Sequence, residues 1–115
     1  MAIVNITAEN DADFYRSFAY QTASGLPIDL TGTSMLMKVR KHATDIQAVL
    51  ELSTDTGELV YTDPPSSGFF TVFIAQGELV RLPIGDYDQS LILLVNSLRK
   101  RVWSGVLTVT AGPSR

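Results

Sequence analysis

An all-β fold built from antiparallel strands is what this chain predicts, and three observations predict it. Apolar residues recur with a period of two along most of the length, the signature of half-buried strands. Turn-forming residues interrupt that alternation every eight to twelve residues or so, the spacing of a two-sheet sandwich. No stretch holds helical spacing for long. With 115 residues, 45% of them hydrophobic, the chain is sized for one core and is read as a single domain over residues 1–115.

Residues 3–8 alternate weakly and form a first edge strand, followed by the acidic turn 9–13. Residues 14–21 come next, with Phe14, Phe18 and Tyr20 on one face and Arg16 among them. Thr22-Ala23-Ser24-Gly25-Leu26-Pro27 is a hairpin connection, because Gly and Pro supply its backbone angles. After Thr31-Gly32, residues 34–41 put Met35, Met37 and Val39 on one face and Leu36, Lys38 and Arg40 on the other. Residues 48–53 alternate again with Leu50 and Leu52 inward, the turn 54–57 follows, and residues 58–62 are expected to pair back.

Asp63-Pro64-Pro65-Ser66-Ser67-Gly68 breaks the pattern most strongly, since proline donates no ladder hydrogen bond, and is read as a loop between sheets. Residues 69–75 are apolar on both faces, with Phe70, Val72 and Ile74 on one and Phe69, Thr71 and Phe73 on the other. The segment 76–82 is the one place for a helical turn, with Leu79 and Leu82 three apart before Pro83. Residues 87–95 are apolar enough to be a central strand. Residues 102–110 close the domain with Trp103, Leu107 and Val109 inward, and Gly105 allows a bulge or a close backbone approach. The tail 111–115 is expected to be loosely held. Together these elements predict an immunoglobulin-like antiparallel β-sandwich of about seven or eight strands with at most one short helical turn.

The formal net charge of −3 gives no long-range attraction for phosphate backbones or anionic lipid, so neither nucleic acid nor membrane is expected as a partner. Arg99, Lys100 and Arg101 sit beside the turn signal Asn96-Ser97 and read as a solvated hairpin tip. Cysteine is absent, which removes disulfides, thiolate nucleophiles and thiolate metal sites. The N-terminus has no basic segment followed by a sustained apolar one, so no secretory signal is expected. The longest apolar run, residues 91–95, is too short to span a bilayer.

The residue types that catalysis needs are sparse and scattered. The only histidine, His42, lies in a polar stretch and reads as an exposed loop residue with no nucleophile to serve. Glu9, Asp11 and Asp13 cluster, but they lack the glycine and distal glutamate of a calcium loop. Asp86 and Asp88 flank Tyr87 on a strand and are expected to face solvent. No glycine-rich loop joins a strand to a helix, so no nucleotide site follows. No catalytic residue, metal ligand or cofactor is assigned, and the chain is read as a protein that is not an enzyme.

Outward apolar residues remain. Leu36, Phe69 and Phe73, with the methionines Met35 and Met37, are candidates for sheet faces where Lys, Thr and Glu would be ordinary. Either the short helical turn or a loop covers them, or they form a protein contact. Leu36, Phe69 and Phe73 are the candidate interface residues. A carbohydrate-binding sandwich stacking sugars on Trp103, Tyr15, Tyr61 or Tyr87 is the alternative function, and a calcium module at the acidic turn a third.

The order of landmarks resembles small phage proteins similar to the N-terminal β-sandwich domain of phage baseplate upper proteins. The matching pieces begin with Asp29-Leu30-Thr31-Gly32, then Met35-Leu36-Met37-Lys38-Val39-Arg40, then Leu50-Glu51-Leu52-Ser53 with Gly57. They continue with Gly68-Phe69-Phe70-Thr71-Val72, Leu82-Pro83-Ile84-Gly85-Asp86-Tyr87 and Gly105-Val106-Leu107-Thr108-Val109-Thr110. In Leu82–Tyr87 the tyrosine hydroxyl is positioned to bond back to the chain, as at a sandwich corner. The resemblance implies a virion structural or assembly protein of a phage or prophage, made in the bacterial host cytoplasm and located in the tail or baseplate. It implies partners among other tail or baseplate proteins, and association into a homo-oligomer. Larger members continue past this domain, whereas this chain stops at Arg115, which makes an adaptor the expected role.

Overall fold

The computed structural model describes residues 2–22 and 24–113, so Ala23 of the 22–27 connection and Ser114 and Arg115 of the tail lie outside the described residues. The protein is all-β, with two sheets. In chain order the strands are β1 (Ala2–Ile3), β2 (Ile6–Glu9), β3 (Phe14–Ala19), β4 (Ser34–Arg40), β5 (Leu50–Ser53), β6 (Leu59–Tyr61), β7 (Phe69–Ile74), β8 (Gly85–Val95) and β9 (Leu98–Thr110). A four-residue helix, α1 (Gln76–Leu79), and a 3-10 turn at Pro65–Ser67 complete the set.

The larger sheet runs β5-β4-β8-β9, with β1 and then β2 on the far edge of β9. β8 is central, as its apolar length predicts, and a two-residue turn with both Asn96 and Ser97 at positive φ joins it to β9. The smaller sheet is β3-β7-β6. Period-two alternation assigns the inward side chains: Met35, Met37 and Val39 from β4, Phe70, Val72 and Ile74 from β7, and Tyr87, Leu91 and Leu93 from β8 are all buried. Phe18 and Phe70 from the smaller sheet meet Trp103 from the larger, with ring centroids 4.8 and 5.7 Å from the indole, so the two sheets close over one aromatic centre.

Three sequence expectations change. The segment 3–8 splits into two short strands that run parallel to β9, so the sandwich is not wholly antiparallel. Parallel neighbours need a long crossover, and here nearly the whole chain serves as one. Splitting this segment gives nine strands among the described residues, in line with the expected seven or eight once the N-terminal strand is counted in two pieces.

Residues 58–62 do not pair back onto 48–53. β5 pairs with β4, whereas β6 pairs with β7 in the other sheet. The turn 54–57, with Gly57 at φ 91, therefore carries the chain between sheets and buries Leu59 opposite Val72. Without β6 the smaller sheet would be a two-stranded ribbon, which is marginal alone. The proline loop 63–68 then joins β6 to β7 within that sheet, and is not the crossing between sheets that its two prolines suggested.

At Gly105 the close-approach alternative holds, and the bulge lies elsewhere on β9. The register shift on β9 is at Val102: Leu91 faces Trp103, but the next residue, Ile92, faces Arg101. Gly105 provides the close approach, since a Cβ there would lie 2.1 Å from the Val4 carbonyl oxygen. At the tail, Gly112 N–H donates to Asn10 Oδ1 at 2.9 Å, which ties the chain to the 9–13 turn as far as residue 112.

Candidate interaction surfaces

Because β7 is apolar on both sides, packing its inner residues leaves a second hydrophobic row outside. Phe69, Thr71 and Phe73 point away from the core, opposite Ala19, Ser17 and Tyr15 of β3. Tyr15 is 72% exposed and meets Phe73 edge-on at 6.4 Å. Val60 of β6 and Phe69 are exposed beside them, and Ser17 and Thr71 hydroxyls pair at 3.1 Å between the rings. Phe73 is half-buried: with Val49, Leu50 and Ala75 it lines a crevice of about 390 Å³ that Glu58 and Glu78 also border. Helix α1 directs Leu79 into the core, while its Glu78 borders the Phe73 crevice.

Leu36 lies elsewhere. It is half-buried on the outer side of the larger sheet, so the sandwich separates it from Phe69 and Phe73. The three candidate residues thus occupy two opposite faces, and Met35 and Met37 belong to the core.

The outer side of the larger sheet holds a concavity of about 740 Å³ around Leu36 and Ile92. Lys38 and Arg40 reach it from β4, and Arg99 and Arg101 from β9, against Asp88 as the one acidic residue in its lining. Lys38 Nζ lies 3.5 Å from Glu51, and Arg40 Nη1 donates to the Ile46 carbonyl at 3.2 Å. Asp88 accepts the Ala43 N–H at 2.8 Å. Sequence reasoning missed this grouping. Strict alternation back from Trp103 would send Arg99 and Arg101 to the inner side, but the extra residue at Val102 reverses the phase and turns both outward. The available signal was Lys38 and Arg40 alternating with buried residues on β4.

The remaining candidates are accounted for structurally. Trp103 is buried and donates Nε1–H to Gln89 Oε1 at 2.8 Å, while Gln89 Nε2 donates to the Val4 carbonyl at 2.7 Å. Tyr87 is buried with its hydroxyl on the Pro83 carbonyl, the corner bond its spacing predicts, and burial raises its pKa. Tyr61 is half-buried, its hydroxyl 2.9 Å from Thr33 Oγ1; burial raises its pKa and that hydrogen bond opposes the shift. Of the four rings considered for sugar stacking, Tyr15 is the one that is exposed.

His42 is exposed in the 41–49 loop, where its backbone N–H donates to Asp45 Oδ2. Asp13 accepts the Gln76 N–H at 2.6 Å, and Asp86 accepts the Thr108 hydroxyl at 2.8 Å. Among the described residues, no group of three or more carboxylates or imidazoles converges on a cation position. Nor, among them, is any helix long and apolar enough to cross a membrane.

No family model matches the chain, and no curated protein does. Among solved structures, the fold is similar to that of the N-terminal domain of ORF48 of phage TP901-1. That likeness covers 94% of this chain and 84% of that one, with a TM-score of 0.50 and 11% identity.

Proposed function

We propose that this chain is a non-catalytic structural or assembly component of a phage or prophage virion, a tail or baseplate adaptor that acts by protein–protein association. Two supports are independent of each other. The order of sequence landmarks resembles the N-terminal sandwich domain of baseplate upper proteins, and the fold is similar to an N-terminal domain of a phage protein over nearly the whole chain. On this reading residues 1–115 are one domain, made in the host cytoplasm and carried in the virion.

The observation that carries the association is the outer side of the smaller sheet. Tyr15, Val60, Phe69 and Phe73 face away from a core that Phe70, Val72 and Ile74 already fill. Exposed aromatic clusters of this kind are how protein interfaces obtain their anchors. Copies of the chain associate through this face, with Phe69 and Phe73 as the central contacts. Sedimentation velocity at micromolar concentration tests it: the unaltered protein self-associates, and Phe73→Glu shifts it to monomer. A protein that is monomeric at every concentration and indifferent to Phe73→Glu removes the self-association.

A further inference from the structure

We infer that the basic concavity on the outer side of the larger sheet is a docking groove for an acidic, extended segment of a partner protein. The inference deepens the association reading and rests on it, but it uses the opposite face of the molecule. Lys38, Arg40, Arg99 and Arg101 gather around the half-buried Leu36 and Ile92, with Asp88 the one carboxylate lining the groove. The whole chain carries a formal −3, so this face departs in sign from the rest. Charges grouped against the net sign steer and orient a complementary partner.

The spacing selects the occupant. Lys38 and Arg40 are on β4 while Arg99 and Arg101 are on β9, with β8 between them. Neighbouring strands lie about 4.8 Å apart, and by register Arg99 is level with Ser34, so Arg99 and Arg40 stand roughly 10 Å apart across the strands and roughly 20 Å apart along them, and the four cations cannot all converge on one phosphate or one carboxylate. An extended peptide repeats its same-side residues every 6–7 Å or so. It therefore presents successive carboxylates to the two pairs while an apolar residue between them covers Leu36 and Ile92. Nucleic acid fits less well. No aromatic ring lines the groove for a base to stack on.

Fluorescence anisotropy with a labelled peptide of about ten residues, built from Asp and Glu with two central leucines, tests the groove. The peptide binds saturably, weakens as salt rises, and loses at least about tenfold in affinity with Arg40→Glu plus Arg99→Glu. Arg99→Glu alone, at an exposed position, weakens binding in the same direction and keeps the test readable if the double variant misfolds. Phe73→Glu leaves peptide binding unchanged. Absence of binding, equal binding of the same peptide with Lys in place of the acids, indifference to the Arg variants, or tighter binding of an oligothymidylate of matched charge each overturns the inference. Peptide binding that persists in a protein showing no self-association would remove the self-association alone. Lost peptide binding in a protein that still dimerises through Phe73 would remove the groove alone.

Discussion

Replacing Gly105 by alanine puts a methyl group where the N-terminal segment crosses β9. The added Cβ would lie 2.1 Å from the Val4 carbonyl oxygen, 2.8 Å from its carbon and 3.0 Å from Asn5 Oδ1. Two of these atoms are backbone, so no side-chain rotation relieves the overlap, and the segment from β1 to β2 must lift. Lifting it endangers three hydrogen bonds: Val4 N–H to Ser104 O at 3.0 Å, Gln89 Nε2 to Val4 O at 2.7 Å and Val106 N–H to Asn5 Oδ1 at 3.1 Å. At about 0.5–1.5 kcal/mol net for each, the loss is about 2–4 kcal/mol. An unfolding entropy of about 2.1 cal/mol/K per residue, over a chain of this length, converts that to a fall in Tm of roughly 8–16 °C. Thermal unfolding followed by circular dichroism and Trp103 emission reads it. Gly77→Ala is the matched control, because a Cβ there meets nothing within 4 Å and alanine favours the helix; its Tm holds or rises slightly. A Gly105→Ala protein melting within about 2 °C of the parent would refute the crossing of the N-terminal segment over β9.

Gln89→Leu removes the bridge between the Trp103 indole and the Val4 carbonyl, leaving both without their partner. It lowers stability by about 2–4 kcal/mol in urea unfolding and changes the near-ultraviolet dichroism of Trp103. Tyr61 and Tyr87 both have pKa values raised by burial, so the folded state holds their protons more tightly than the unfolded one. Their contribution is complete below the ordinary tyrosine value of about 10 and is lost as pH rises through the folded values. Urea midpoints therefore fall above that pH, and a protein with Tyr61→Phe and Tyr87→Phe loses less on the same rise. At neutral pH the Tyr87→Phe change alone costs about 1 kcal/mol, the corner hydrogen bond to Pro83.

Alternation made the strands legible, because a residue's side of a pleat depends only on its parity. Met35, Met37 and Val39 could be put on one face from sequence, and Phe69 with Phe73 on one face, but that the methionines, themselves candidates for an outward face, lie in the core needed the second sheet. Pairing was less legible. The turn 54–57 looks the same whether the chain folds back on its own sheet or crosses to the other, and only the burial of Leu59 against Val72 decides. The same limit hid the parallel strands at the N-terminus, whose partner β9 lies at the other end of the sequence. The basic groove was hidden by a single residue. One insertion at Val102 inverts the parity of everything before it on β9, and no composition signal marks a bulge at a valine.

Quantitative mass spectrometry of particles purified from a host strain producing the virus tests the central claim most directly. A virion adaptor is present in the particles in a fixed ratio to the tail proteins, and it stays with detached tails when heads and tails are separated. Its absence from purified particles, with the chain abundant in the lysate that yielded them, would contradict a structural role in the virion.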